Sequence, residues 1–287
     1  MTRLDTEVAA RGLARSRARA TELIRSGGVE VNGSVAVKPS LPVGPDDEVR
    51  VTGDDGDVSR AAGKLRAALD AAALPVDGRV VVDAGASTGG FTQVLLERGA
   101  AAVVAIDVGH DQLAPSIAAD PRVVVVEGFN VKELSPSSYG RIAAGLDRPS
   151  LIVADLSFIS LTHVLGAFDR TIADEPAARA SRGDGRATEP HGAVHTPAMV
   201  LLIKPQFEVG KGNLSNGIVL DRRRAEDAVR SVLTTAADRG WLPQLLILSP
   251  VVGTHGNQEY LTVLRRAETS DPEEWATTVD EKIMGAR

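Results

Sequence analysis

The 287-residue chain has no cysteine, which excludes disulfides and thiolate metal sites and fits a reducing cytosol. No apolar run reaches the roughly eighteen residues that a membrane-spanning helix needs, so no membrane partner is expected. The start, Met1-Thr2-Arg3-Leu4-Asp5, has no apolar stretch of the kind a secretory signal requires, so a cytoplasmic protein, a monomer, is expected. Aromatic residues are only 3% of the chain, which argues against an extended stacking platform for nucleic-acid bases. Net positive charge is also missing: the formal balance is −6. The distribution of charge qualifies that absence. Arg3, Arg11, Arg15, Arg17, Arg19 and Arg25 crowd the first 25 residues, while acidic residues gather later. A local basic face, more than the total, is the footprint of a nucleic-acid partner.

Another absence shapes the reading of the main glycine-rich motif. Asp83-Ala-Gly-Ala-Ser-Thr-Gly-Gly-Phe91 follows the apolar run Val80-Val81-Val82 and precedes a helical pattern to Arg98. Strand, glycine turn and helix in that order build a nucleotide-binding corner. The motif is neither G-x-G-x-x-G nor a P-loop, so phosphate is not its obvious ligand. The spacing Asp83-x-Gly85-x-x-x-Gly89 suits the methionine end of S-adenosylmethionine, with Ala86, Ser87, Gly90 and Phe91 completing the turn. Asp107 and Val108 end the next strand, where a carboxylate can accept from ribose hydroxyls. Asn130 follows the third strand, within reach of an adenine edge. NAD sites share the Asp107 feature, so an NAD-linked oxidoreductase is an alternative. A non-catalytic RNA-binding or membrane-lytic protein is another.

The first fifty residues predict a small α+β module. Asp5 is expected to cap a helix stopped by Gly12, and Ser16 a second helix ended by Gly27-Gly28. Valines around Asn32-Gly33 predict a hairpin, and Val49–Val51 a further strand. We place this module at 1–53, a polar linker at 54–62 and a main domain at 63–268, followed by a peripheral tail at 269–287. In the main domain apolar runs alternate with helical patterns, which predicts a doubly wound, Rossmann-like parallel sheet of the α/β class. Residues 174–197, which include His191 and His195, lack periodicity and read as a flexible insertion.

Four more residues stand at strand ends that such a sheet brings to one crevice: Asp155, Lys204, Glu259 and, at the opening of the domain, Lys64. Two lysines and two carboxylates form a coherent set for activating a hydroxyl. A lysine takes a proton only when neutral, and its reference pKa is about 10.4. A second lysine and partial burial lower that value, while a carboxylate opposes the shift but orients the amine. Transfer of a sulfonium methyl then needs in-line positioning and proton removal, with no metal.

Two resemblances add to this reading. Arg3-Leu4-Asp5, Gly12-Leu13-Ala14-x-Ser16-Arg17, Leu23-Ile24-x-x-Gly27, Val29-x-Val31-Asn32-Gly33 and Lys38-Pro39 resemble the S4 RNA-binding domain, over residues 2 to about 53. Lys64, Asp155, Lys204 and Glu259 resemble the Lys-Asp-Lys-Glu tetrad of FtsJ-like ribose 2′-O-methyltransferases. Together with Ser59-Arg60, Asp155-Leu-Ser-Phe-Ile-Ser160 and Lys204-Pro-Gln-Phe-Glu-Val-Gly-Lys-Gly212, the chain is similar to the TlyA family to about residue 266. The lead-in Arg60-Ala61-Ala62-Gly63 departs from the family's usual Arg-Gly-Gly or Arg-Gly-Ala, and the 174–197 insertion is longer than expected. The resemblance implies S-adenosylmethionine-dependent 2′-O-methylation of cytidine in 16S and 23S ribosomal RNA. It makes Lys204 the base and Lys64, Asp155 and Glu259 its electrostatic partners. It also implies an older hemolysin label, which no membrane-active stretch supports. Arg3, Arg15, Arg17, Arg19 and Arg25 are the expected RNA contacts, and Phe207 is placed to touch a flipped target base.

Overall fold

The computed structural model describes all residues except 15, 26–27, 52–55, 173–194, 211, 213, 216, 254–255, 267–271 and 286–287. The chain divides into two compact units, Met1–Asp57 and Val58–Arg287.

The first unit contains β1 (Thr2–Arg3), α1 (Leu4–Ala10), α2 (Arg17–Arg25), β2 (Val29–Val31), β3 (Ser34–Val35), β4 (Pro42–Val43) and β5 (Val49–Val51). β2 is central, pairing antiparallel with β3 and β5. Asn32 and Gly33 have φ of 52° and 77°, the left-handed pair that a tight hairpin turn requires. Leu4, Val8, Ala20, Ile24, Val29 and Val43 form the core. Ser16 caps α2, its Oγ accepting from the Arg19 N–H at 3.2 Å. The expected cap at Asp5 is replaced by a different role: α1 begins at Leu4, and Asp5 is buried. Arg3 and Arg17 donate to the Asp5 carboxylate at 2.9 Å and 3.2 Å, which holds it well below the usual carboxylate range. Gly27 lies outside the described residues.

The second unit runs α3 (Ala61–Ala71), β6 (Val80–Ala84), α4 (Gly90–Glu97), β7 (Ala102–Ile106), α5 (Pro115–Ala118), β8 (Val123–Val126), α6 (Pro136–Ile142), β9 (Leu151–Ala154), α7 (Leu165–Thr171), β10 (Ala198–Ile203), α8 (Pro205–Glu208), α9 (Arg222–Ala237), β11 (Trp241–Leu248), β12 (Tyr260–Arg266) and α10 (Pro272–Gly285). The sheet order is β11-β12-β10-β9-β6-β7-β8, with β12 antiparallel to its neighbours and the other described pairs parallel. Both faces are covered, so β10, β9 and β6 are apolar apart from Asp83 near the end of β6. Val81 and Val153 face a layer with Leu65, Leu69 and Val94 of α3 and α4. Val82 and Ile152 face the opposite layer, with Phe168, Val232 and Leu233 of α7 and α9.

Three local readings are corrected. The apolar spacing over Leu161–Ile172 predicts one helix, but the segment is divided into a 3-10 turn at Leu161–His163, capped by the Ser160 hydroxyl, and α7. α3, which carries Lys64, was not foreseen. The tail is not peripheral: α10 buries Val279 and Ile283 in the core, and Lys282 Nζ donates to the Gln244 carbonyl at 2.9 Å. Most of the expected 174–197 insertion, including His191, lies outside the described residues. At its return, Thr196 gives its carbonyl to buried Arg79, which also holds the carbonyls of Pro75 and Ser150. Burial lowers the Arg79 pKa to about 10.

Candidate active site

Strand register turns four distant sequence positions into one cluster. Ala84 pairs with Ala154, and Leu201 pairs with Ala154 from the other side, so Asp155 emerges beside both the glycine turn and Lys204. Ile203 pairs with Tyr260 antiparallel, so Lys204, one residue later, and Glu259, one residue earlier, leave the same sheet edge. Lys64 comes from α3, packed on the layer beneath.

The side chains meet in one network. Lys204 Nζ lies 2.6 Å from Asp155 Oδ1, and Lys64 Nζ lies 3.9 Å from Asp155 Oδ2. Lys64 Nζ donates to Glu259 Oε2 at 2.6 Å. Residue exposures of 6% for Lys64, 9% for Lys204 and 2% for Glu259 mean that all three charges are held out of bulk water. Such charges persist only when paired. Lys204 also donates to Ser157 Oγ at 2.9 Å, and Gln206 Nε2 donates to Glu259 Oε1 at 3.3 Å. Neither Ser157 nor Gln206 was singled out from the sequence, although both lie inside the quoted motif blocks.

The glycine turn borders this network. Gly85 has φ of 85°, and a Cβ there would stand 2.6 Å from the Asp155 carbonyl oxygen. Gly89 and Ser87 also adopt positive φ. Asp83 is fully buried, with Oδ2 accepting from Thr92 Oγ1 at 2.6 Å. Its Oδ1 finds no hydrogen-bond partner among the described residues. Burial, reinforced by Asp155 and Asp107 and opposed by Thr92, pushes the Asp83 carboxyl up to about 7. The Asp107 carboxylate accepts from the backbone N–H groups of Ser87 and Gly109, both at 2.8 Å. Ala86, Ser87, Asp107, Gln112, Leu113, Val125 and Glu127 line a concavity next to it. Gln112, Leu113 and Glu127 come from loops with no motif of their own, so nothing in the sequence marked them.

Other expected contacts fall elsewhere. Phe91 is buried in the core between α3, α4 and the sheet, so its side chain is withdrawn from the turn's surface. A Cβ on Gly90 would strike Ser59 Oγ, so that glycine serves the packing of α4 against the start of α3. Asn130 caps the turn at Val131–Glu133, its side chain accepting from the Lys132 N–H. Val108 is exposed.

An aromatic pair lies beside Lys204. The Phe207 ring centroid is 5.8 Å from Lys204 Nζ and 5.1 Å from the Phe158 ring. Phe158 is 92% exposed and has φ of 64°. A bulky residue in that region carries about 1–3 kcal/mol of strain, and strain of this kind gathers at functional sites. Nearby, Glu208 Oε2 accepts from Ser160 Oγ at 2.5 Å and Oε1 from the Leu161 N–H at 2.9 Å. Burial raises the Glu208 pKa, and those two donors oppose the rise.

The family profile described as FtsJ-like methyltransferase matches residues 58–266, the span that carries this network and the glycine turn. The chain belongs to the FtsJ-like methyltransferase family. The FtsJ-like part is preceded by a match to the S4 domain over residues 2–49. The Mycobacterium tuberculosis protein named 16S/23S rRNA (cytidine-2′-O)-methyltransferase TlyA is 45% identical over 92% of this chain and 89% of its own. Hemolysin A of Brachyspira hyodysenteriae is 34% identical over 90% of this chain and 98% of its own. A solved structure titled as a putative hemolysin from Streptococcus thermophilus has a TM-score of 0.68 at 30% identity, covering 99% of this chain and 97% of that one. Among the described residues of this FtsJ-like methyltransferase, no helix is long and apolar enough to cross a membrane.

In the S4 unit, Arg3 and Arg17 are half-exposed despite their bonds to Asp5. Arg19 donates to the Asp57 carbonyl at 3.3 Å, Arg25 is exposed in the last turn of α2, and Arg15 lies outside the described residues.

Proposed function

We propose that this protein transfers a methyl group from S-adenosylmethionine to the ribose 2′-hydroxyl of a cytidine in ribosomal RNA, of the small subunit, the large subunit or both. The observation that carries this reading is the buried network in which two lysines share Asp155 and one of them is tied back to Glu259. The name of the Mycobacterium tuberculosis relative supports the substrate and the position of methylation.

The residues at the turn fit the cofactor. Asp83 Oδ1 is a buried acceptor in need of a donor, which the ammonium of the methionine end would supply. Asp107 and the concavity beside it would hold the adenosine. When bound, S-adenosylmethionine supplies a methyl on a positively charged sulfur, open to direct attack by a hydroxyl oxygen. Lys204 would hold the ribose 2′-oxygen and, when neutral, would take its proton as the methyl passes to that oxygen and its bond to sulfur breaks, the sulfur leaving as a neutral thioether. Asp155 orients the Lys204 amine at 2.6 Å, while Glu259 keeps Lys64 in place on the other side of Asp155. Half-buried Phe207, with exposed Phe158 against it, offers an aromatic surface for the target base. The S4 unit contributes arginines for RNA phosphates, among them Arg3, Arg17, Arg19 and Arg25.

The test is to map ribose methylation on ribosomal RNA from cells with and without the protein. A 2′-O-methylcytidine that disappears with the gene and returns with purified protein plus cofactor is expected; an unchanged map overturns the reading. The cofactor assignment has its own check. Below pH about 7 the Asp83 carboxyl is neutral, and above it the ionised form pairs better with an ammonium. Affinity for S-adenosylmethionine is therefore expected to rise between pH about 6 and 7.5. Asp83→Asn should flatten that slope and weaken binding by roughly tenfold to a hundredfold, the worth of a charged hydrogen bond. Isothermal titration measures both, and preferential binding of NAD would reject the assignment.

A further inference from the structure

Two loops leave the neighbouring parallel strands β9 and β10 on the same edge. Near the strands they are fastened by the Lys204–Asp155 ion pair and by the bond from Lys204 to Ser157. Farther out a single carboxylate joins them. Glu208 accepts from the Ser160 hydroxyl with one oxygen and from the Leu161 N–H with the other. Phe158 sits between the two fastenings, with a left-handed φ of 64°. At 92% exposure it is not held there by burial. Its ring meets Phe207, the residue before Glu208. A strained conformation persists only where its surroundings impose it, and here the surroundings are the two fastenings.

We infer that Glu208 is a positioning residue for the methyl transfer: its bridging carboxylate fixes the Phe158 loop against the Lys204 turn and so sets how Asp155 meets Lys204. This inference rests on the reading given under Proposed function. A carboxylate suits the task because it has two acceptor oxygens and no donor, so both loop donors are satisfied at once. Glutamine keeps one acceptor for Leu161. Its amide can donate to Ser160 Oγ, whose proton turns to Thr162 Oγ1 at 2.6 Å. Alanine leaves both donors without Glu208.

The experiment compares full-length Glu208→Ala and Glu208→Gln with the parent protein. It measures kcat and KM for methyl transfer to ribosomal RNA, cofactor affinity, and hydrogen exchange of the amides at 157–161. Glu208→Ala is expected to lower kcat on the order of 100-fold, the effect of a misplacement near 1 Å. Cofactor affinity should hold and exchange at 157–161 should quicken. Glu208→Gln should recover most of the rate and of the protection. In a Phe158→Ala background the alanine change should cost much less, because both act through one loop. An unchanged kcat and exchange in Glu208→Ala overturns the inference, as does equal loss in both variants, which would mark the charge itself as the requirement. If the alanine variant does not fold, Glu208→Asp, one methylene short of Ser160, takes its place. If the parent protein methylates no ribosomal RNA, the proposed function fails. Exchange at 157–161 then decides alone: faster in the variant sustains the fastening, and unchanged refutes it.

Discussion

Lys204→Ala is expected to lower kcat for methyl transfer by roughly a hundredfold to ten-thousandfold, the range for loss of a positioned acid or base. Lys204 Nζ sits between Asp155 and Ser157, so its removal takes away the amine nearest the proposed ribose oxygen. The turn proposed to hold the cofactor is built from other residues, Asp83, Gly85 and Asp107, so affinity for S-adenosylmethionine should be kept. Methyl incorporation and cofactor titration on the same preparation check both parts. Parent-like turnover in the variant would remove Lys204 from the chemistry. Loss of cofactor affinity along with turnover would instead make Lys204 a binding residue.

Glu259→Ala is expected to act on stability first. It leaves the Lys64 ammonium buried, with its remaining carboxylate 3.9 Å away and already paired with Lys204. Breaking one side of a buried pair costs about 3–5 kcal/mol, whereas an apolar replacement of both sides is often neutral. For a unit of this size that cost should lower Tm on the order of 10 °C. The double variant Lys64→Met/Glu259→Leu is expected to regain most of the lost stability without regaining methyl transfer. Thermal unfolding and methyl incorporation on the two variants separate the roles. An unchanged Tm in the single variant, or full turnover in the double, would refute this account of the pair.

Much of the architecture was legible from periodicity. Apolar runs such as Val103–Ile106 and Leu151–Val153 are strands because both faces of a parallel sheet are covered, and that leaves a clear trace. Asn32-Gly33 fixed its hairpin through local backbone preference alone. Asp5 and the Leu161 segment were misread because capping depends on which neighbour supplies the partner. Asp5 found two arginines, which helical spacing does not imply, and Ser160 caps only a short turn that ends before α7. The α10 segment hid its role because Val279 and Ile283, which seat it in the core among the described side chains, are too few to mark a helix by themselves.

For the site, the sequence by itself supplied the residues: the glycine turn, its acidic neighbours, one lysine and two carboxylates next to strand ends, and Lys64 at the opening of the domain. It could do so because residue type and strand-end position survive any folding of the loops. Only the tertiary structure decided how these groups are shared. Sheet register brings residues 155, 204 and 259 together, and the packing of α3 on the sheet adds Lys64. The fold gives Asp155 to both lysines, leaves Asp83 Oδ1 without a hydrogen-bond partner among the described residues, and sends Phe91 into the core. The left-handed turn at Phe158 and the Glu208 bridge behind it belong to the same class. They arise from contacts between two loops, and no property of either loop alone encodes them.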